Sequence, residues 1–495
     1  MSRLEGAAAR RQQRKPVLSR SLAIDHITRH FDRGDFLALL QRSVAMPTES
    51  QEPARLPQLQ RYLEDFIVPL IAPMGFVSRV YPNPVHGHGP LLVARRIEAE
   101  SLPTLLVYGH GDVVRGYDAQ WRNGLSPWNV TVEGERWYGR GTADNKGQHL
   151  INLTALQQVM EARGGRLGFN VKLLLEMGEE AGSPGLRQFC LEHRDELSAD
   201  VFIASDGPRL SAARPTVFLG SRGAFNFELR VDLRDGAHHS GNWGGLLRNP
   251  GIVLANAIAS LVDGNGQVQV AGLKPTAMPE SVRRALSTIE LTPGSPGDPV
   301  IDPAWGEPGL TPVERVFGWN TLEVLAFKTG NADAPISAIP ASAVAHCQVR
   351  FVAGCDWRTF VEAIEDHLAE QGLADVQVKQ SPGEVLHASR LDPDNAWVHW
   401  ALDSLERTTG KPCALLPNLG GSLPNDIFAD VLGLPTLWIP HSYPSCSQHA
   451  PNEHLLASIV KEGLQIMAGL YWDLGESGQS VRRSQLEFTR ETTIC

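Results

Sequence analysis

No apolar run in this 495-residue chain approaches the roughly 20 residues a bilayer-crossing helix needs, so a membrane protein is not expected. The six cysteines (Cys190, Cys347, Cys355, Cys413, Cys446 and Cys495) are scattered and include no C-x-x-C pair. That usage reads as reduced thiols of a cytoplasmic protein and not as a disulfide frame. Positive charge is in deficit: Lys+Arg 45 against Asp+Glu 55 leaves a net −10, which argues against a nucleic-acid partner. The basic N-terminal segment (Arg3, Arg10, Arg11, Arg14, Lys15, Arg20) lacks the apolar centre of a secretory signal and reads as a solvated tail. Two common catalytic signatures are also missing. In Gly109-His110-Gly111 the third glycine of G-x-G-x-x-G would fall at Val114, and no G-K-[ST] follows; neither Ser221 nor Ser422 sits in G-x-S-x-G. No internal repeat is found.

What is present is a set of short apolar runs, each ending in a metal-binding type of side chain. Thr104–Tyr108 leads into His110 and Asp112, and Asn170–Glu176 into Glu179 and Glu180. Ala199–Ser205 leads into Asp206, and Pro435–Pro440 toward His449. Runs this short, between turn signals, read as buried strands of an α/β sheet. Ligands of such sheets collect at the carboxyl ends of the strands, so these side chains should meet in one crevice. With Asp144, which opens a helical pattern over Asp144–Arg163, the set His110, Asp144, Glu180, Asp206 and His449 suits a pair of metal ions.

Length suggests two or three domains, and a hydrophobic content of 42% with 20% charged residues fits a globular chain with a large core. The strand–helix rhythm changes after Pro215. Thr216–Leu219 and Ala224–Asp232 alternate with the period of half-buried strands, and a helical run follows at Pro250–Val262. After a Pro/Gly-rich stretch, Leu291–Pro312, come strand-like Thr321–Phe327 and Ala343–Val352 and a helix over Trp357–Gln371. The expected architecture is α/β: a discontinuous catalytic domain with a mainly parallel sheet (35–213 and 386–475), interrupted by an inserted α+β unit (214–385). Residues 1–34 are expected as tail and lead-in, and 476–495 as a loose polar C-terminal tail.

Zinc and its neighbours accept imidazole nitrogen and carboxylate oxygen, and one carboxylate can bridge two ions. In His110-Gly111-Asp112 alternate residues share a face, which makes Asp112 the natural partner to orient the imidazole. Adjacent carboxylates such as Glu179-Glu180 repel each other when buried. A cation on one relieves that cost and leaves the other free as a base.

The segments His110–Val114, Tyr138–Gly147 and Gly178–Ser183 resemble the M20 metallopeptidase family. Gly220–Gly223, His239-Ser240-Gly241, Gly420-Gly421-Ser422 and His449 with Asn452-Glu453 extend the likeness, which runs from about residue 35 to 470. The resemblance implies two divalent metal ions, zinc first, with manganese or cobalt as alternatives. His110 and Asp206 would hold one ion, Glu180 and His449 the other, with Asp144 bridging. Asp112 would orient His110, and Glu179 would be the general base toward a metal-bridging water. The Asp144-Asn145 peptide would be cis. The inserted unit would be a lid and dimerisation domain whose His239 reaches the neighbouring active site of a homodimer. Arg350, Ser337 and Ser422 would contact the substrate, with Arg350 receiving its carboxylate.

The spacing from Ser337 to Arg350 and from Pro440 to His449 is closest to the cytosolic dipeptidase and carnosinase branch. The expected substrate is therefore a dipeptide or a related N-acyl amino acid with a free carboxylate. N-acyl-amino-acid deacylase and glutamate-type carboxypeptidase are the alternatives within the family, and a catalytically silent dimeric binding protein the alternative outside enzymes. Arg115 stands where many relatives have proline, Met177-Gly178 replaces a more acidic approach to the paired glutamates, and His238-His239 is a doublet. None of these departures removes a proposed ligand.

Overall fold

The computed structural model describes residues 18–291, 300–383 and 385–494, with side chains of the last helix described to residue 485. Of the tail and lead-in expected over residues 1–34, residues 1–17 lie outside the described residues, as do residues 292–299 of the Pro/Gly-rich stretch and Cys495. Arg20–Asp32, by contrast, is a helix with Ala23 and Ile27 buried in the core, and Arg20, read with the basic tail, pairs with Asp473 at 3.0 Å.

The apolar runs form Thr104–His110, Asn170–Glu176, Val201–Ala204 and Thr436–Trp438. These strands lie parallel, in the spatial order Asn170–Glu176, Thr104–His110, Val201–Ala204, Thr436–Trp438. They are the centre of an eight-stranded sheet. Leu91–Arg96 and Val77–Tyr81 extend it antiparallel on one side, and Thr216–Phe218 and Ala414–Leu416 complete the other. Successive side chains of a strand point to opposite faces, so Thr104–His110 feeds two cores. Leu105 and Val107 pack with Leu150, Leu156 and Leu470, from the helices Lys146–Ala162 and Ala457–Ile494. Leu106 and Tyr108 pack with Phe189, Phe428 and Trp438.

A separate four-stranded antiparallel sheet has the order Thr321–Thr329, Ser342–Phe351, Gly223–Asp232, Gln377–Gln380. The helices Pro250–Leu261 and Phe360–Glu370 cover one face of it, around Phe225, Leu229, Leu254, Val349 and Ile364. Asn249 starts the first of these helices by accepting the amides of Gly251 and Ile252, with Pro250 at the first helical position. The larger sheet takes strands from before and after this excursion, so its fold is discontinuous. The chain passes between the two sheets along adjacent segments, because Gly220–Ser221 pairs antiparallel with Ser389–Arg390. A side chain at residue 220 would put its Cβ 1.9 Å from the Ser389 carbonyl oxygen, which makes glycine the residue that fits.

Three expectations differ. Thr216–Phe218, read as the start of the inserted unit, belongs to the larger sheet and pairs parallel with Ala414–Leu416. From within the inserted stretch, Glu280–Leu286 and Pro312–Phe317 return to the larger sheet. Val282, Leu286, Val313 and Phe317 are buried with Phe218 and Leu416. The polar segment after Gly475, expected as a loose tail, continues the last helix. Val481 packs on the core, Ser477 Oγ accepts from Trp400 Nε1 at 3.0 Å, and Arg482 pairs with Asp200 at 2.8 Å. Polar residues there meet partners on the body, which polarity alone did not reveal. Among the described residues no helix is long and apolar enough to cross a membrane, and the cysteines are free thiols.

Candidate metal centre

The parallel strands deliver their functional side chains to one edge. His110 ends its strand, Glu179 and Glu180 lie in the turn after Glu176, and Asp206 follows Ala204 by two residues. His449 comes from the loop after Thr436–Trp438. Asp144 stands just before the helix Lys146–Ala162, whose N-cap is Asn145 and not Asp144 itself. The Asp144-Asn145 peptide is cis.

These side chains fall into two groups sharing Asp144: His110, Asp144 and Asp206, and Asp144, Glu180 and His449. Within each, the ligand-type atoms all lie within 4.8 Å of one another. His110 Nε2 is 3.1 Å from Asp144 Oδ1 and 3.4 Å from Asp206 Oδ2. His449 Nε2 is 2.9 Å from Asp144 Oδ2 and 3.0 Å from Glu180 Oε2. Glu179 stands beside both groups, with Oε2 3.9 Å from His110 Nε2. Asp112 is more engaged than its expected role. His110 Nδ1 lies 3.1 Å from its backbone carbonyl oxygen and 3.4 Å from its carboxylate. That carboxylate meanwhile accepts the amides of Glu179 (3.2 Å) and Glu180 (3.1 Å). One side chain thus ties the first imidazole to the paired glutamates.

The electrostatics are those of a cation site. Asp144, Glu179, Glu180 and Asp206 crowd together, and among the described residues no lysine or arginine pairs with any of them. Burial, reinforced by Asp144, pushes Glu180 up to about 7, and the same causes raise Asp206. Burial also holds Glu179 well above the usual carboxylate range, with Asp206 and Glu180 adding to it and His110 opposing. His449 is raised to about 11 by its hydrogen bonds to Asp144 and Glu180. Burial lowers His110, but the neighbouring carboxylates of Asp112, Asp144 and Asp206 outweigh it and leave the group well above its ordinary value. Glu180 Oε1 and Asp206 Oδ2 are buried with no hydrogen-bond partner. Orphaned buried carboxylate oxygens beside imidazole nitrogens form the oxygen and nitrogen donor set that zinc-type ions take, so the residues present fit a pair of divalent cations.

The centre lies between two chambers that both reach Glu179, Ser422, Leu423 and His449. One, of about 770 Å³, extends past Arg187, Trp357 and His387; the other, of about 380 Å³, past Gly207, Pro208 and Gln448. Ser422 Oγ donates to the Arg222 carbonyl at 2.8 Å and accepts from Arg350 Nη1 at 2.9 Å. Arg350 is therefore held one residue from the cleft wall. His239 and Ser337 are not brought to this centre. Both are exposed on the smaller unit, where His239 pairs in register with Ala338 and its Nδ1 accepts from the Gly241 amide at 3.1 Å.

Sequence reasoning gave no role to several groups that support the centre. Gln448 Nε2 donates to Asp144 Oδ2, and Asn145 Nδ2 donates to the Ser205 carbonyl at 2.7 Å. Lys146, buried and lowered to about 7 by desolvation, donates to the carbonyls of Ser43 (3.0 Å) and Met46 (2.6 Å). Glu453 accepts from the loop that carries Asp144. Only its place four residues after His449 hinted at such a part.

The sequence profile of Peptidase family M20/M25/M40 matches residues 106–473. Cysteinylglycine-S-conjugate dipeptidase of Corynebacterium striatum is 28% identical over 334 residues, 65% of this chain and 70% of that protein. A Cys-Gly metallodipeptidase of Candida albicans is 23% identical over 469 residues, 88% of this chain and 93% of that one. In fold, the crystal structure of human carnosine dipeptidase 1 superposes with a TM-score of 0.71 at 21% identity, covering 94% of this chain and 100% of that one.

Proposed function

The chain belongs to peptidase family M20/M25/M40, and from that membership we propose that it hydrolyses the amide bond of dipeptides bearing a free C-terminal carboxylate. The carrying observation is the pair of side-chain groups sharing Asp144, with unpartnered oxygens of Glu180 and Asp206 turned into them. His110, Asp144 and Asp206 would hold one divalent ion and Asp144, Glu180 and His449 the other, with zinc the first candidate for this donor set. Such ions, when bound, acidify a water and polarise a carbonyl.

The chain's own residues do the rest. Glu179, held above the carboxylate range beside both groups, takes a proton from the attacking water and hands it to the leaving amine. Arg350, fixed by Ser422, receives the terminal carboxylate with its planar fork. His239 donates to the oxyanion. Because His239 and Ser337 are exposed away from their own centre, we assign them to the site of a second copy. The free edge of Thr321–Thr329, with Val324, Leu325 and Phe327 exposed, supports a homodimer. The two relatives, both named as dipeptidases of cysteinylglycine compounds, favour dipeptides over N-acyl amino acids, and we place the protein in the cytoplasm.

The test is an assay of chelator-stripped protein, reloaded with zinc or manganese, on a panel of dipeptides and N-acyl amino acids. Metal-dependent release of free amino acids from the dipeptide half supports the reading. Turnover confined to the acyl half replaces the substrate class, and failure to bind metal overturns the site.

A further inference from the structure

Glu453 lies outside the proposed ligand set yet touches both loops that build it. We propose that Glu453 is a positioning residue that locks the shared ligand Asp144 to the loop carrying His449, so that both metal sites depend on it at once. The inference rests on the two-metal reading above.

The carboxylate is 1% exposed. Its Oε1 accepts the amides of Gly141 (3.0 Å), Ala143 (2.9 Å) and Asp144 (3.1 Å). Its Oε2 accepts from Arg140 Nη1 at 2.7 Å, and its backbone carbonyl takes the Gly139 amide at 2.9 Å. The run from Gly139 to Asp144 is thus wrapped around one residue. Hydrogen bonds to an ionised acceptor are among the stronger ones available, and this carboxylate gathers three of the loop's backbone amides together with the Arg140 guanidinium.

On its other side Glu453 is joined to His449 by a short loop of fixed shape. His449 and Asn452 adopt left-handed φ values of 60° and 65°, and His454 pairs in register with Tyr138, next to the wrapped segment. Asp144 faces a different imidazole with each oxygen, His110 through Oδ1 and His449 through Oδ2. Moving its backbone therefore disturbs both groups together. Glutamine at 453 keeps one acceptor oxygen but turns an N–H₂ toward either Arg140 or the amides, leaving buried donors facing a donor.

A role confined to holding the fold makes a different prediction. It lowers the thermal midpoint of the metal-free protein but leaves the affinities of the folded protein alone. Wild type, Glu453→Gln and Glu453→Asp are stripped of metal and titrated with zinc against a chromogenic chelator, and the melting of each metal-free protein is recorded. For Glu453→Gln both affinities should fall by about 10–100-fold, the usual effect of removing an outer partner of metal ligands. Glu453→Asp keeps the charge with a shorter reach and should lose less. Wild-type affinity at both sites in Glu453→Gln, or a loss at one site alone, overturns the proposal. If Glu453→Gln does not fold, wild-type affinities in Glu453→Asp overturn it instead. Wild-type protein that fails to bind two ions overturns the two-metal reading itself.

Discussion

Glu179 and Glu180 are neighbours in one turn, but their surroundings separate them. Glu180 lies 3.0 Å from the His449 imidazole, whereas the imidazole Glu179 approaches is that of His110, at 3.9 Å. Replacing Glu179 with alanine should lower kcat by about 10²–10⁴-fold, the usual contribution of a general base, with both metals retained in a metal analysis. Loss of metal from that variant would move Glu179 into the ligand set. The convergence of His110, Glu180 and Asp206 was legible because each follows its own apolar run by a few residues. Asp112 was legible as a partner of His110, but its grip on the amides of Glu179 and Glu180 joins strands that no local pattern links. Glu453 was harder still, since the Asp144 amide it accepts lies 309 positions earlier in the chain.

Among the elements, the strands of the central sheet were readable from apolar runs bounded by turns. What periodicity missed was destination. Thr216–Phe218 alternates like the strands of the smaller sheet but is claimed by Ala414–Leu416, nearly two hundred residues on. The end of the last helix failed for another reason: its anchors are mostly polar, and polar residues without an apolar stripe look like solvent-facing chain. Truncation after Gly475 should therefore lower stability by about 1–3 kcal/mol, mainly through Val481, since burying a side chain of that kind contributes roughly 1.5–3 kcal/mol when complete. The Arg482–Asp200 pair, partly solvated, adds little. Thermal melting of the shortened chain checks this, and an unchanged midpoint would restore the reading of a loose tail.

For the whole molecule the open matter is whether one copy suffices. His239 and Ser337 sit exposed on the smaller unit while the proposed ligands lie at the edge of the larger sheet. A His239→Ala subunit and a His110→Ala subunit should each be inactive. Mixed and allowed to exchange, they should recover roughly a quarter of wild-type activity, because random pairing makes half the dimers hybrid with one complete site in each. Absence of recovery would confine His239 to its own chain.

The close pairing of Gly220–Ser221 with Ser389–Arg390 also bears on how such a protein can change over time. Everything between those segments hangs from the larger sheet by two ends lying side by side, so the cassette could be exchanged for another, or bridged by a short turn at small loop-closure cost. None of His110, Asp144, Glu180, Asp206 or His449 lies inside it. Among the described residues, the returning helices Glu280–Leu286 and Pro312–Phe317, with Met278 and Ile289 beside them, would need their apolar faces replaced. The clustered metal-type side chains and the smaller sheet are thereby carried on separable stretches of chain, and one can drift while the other is kept.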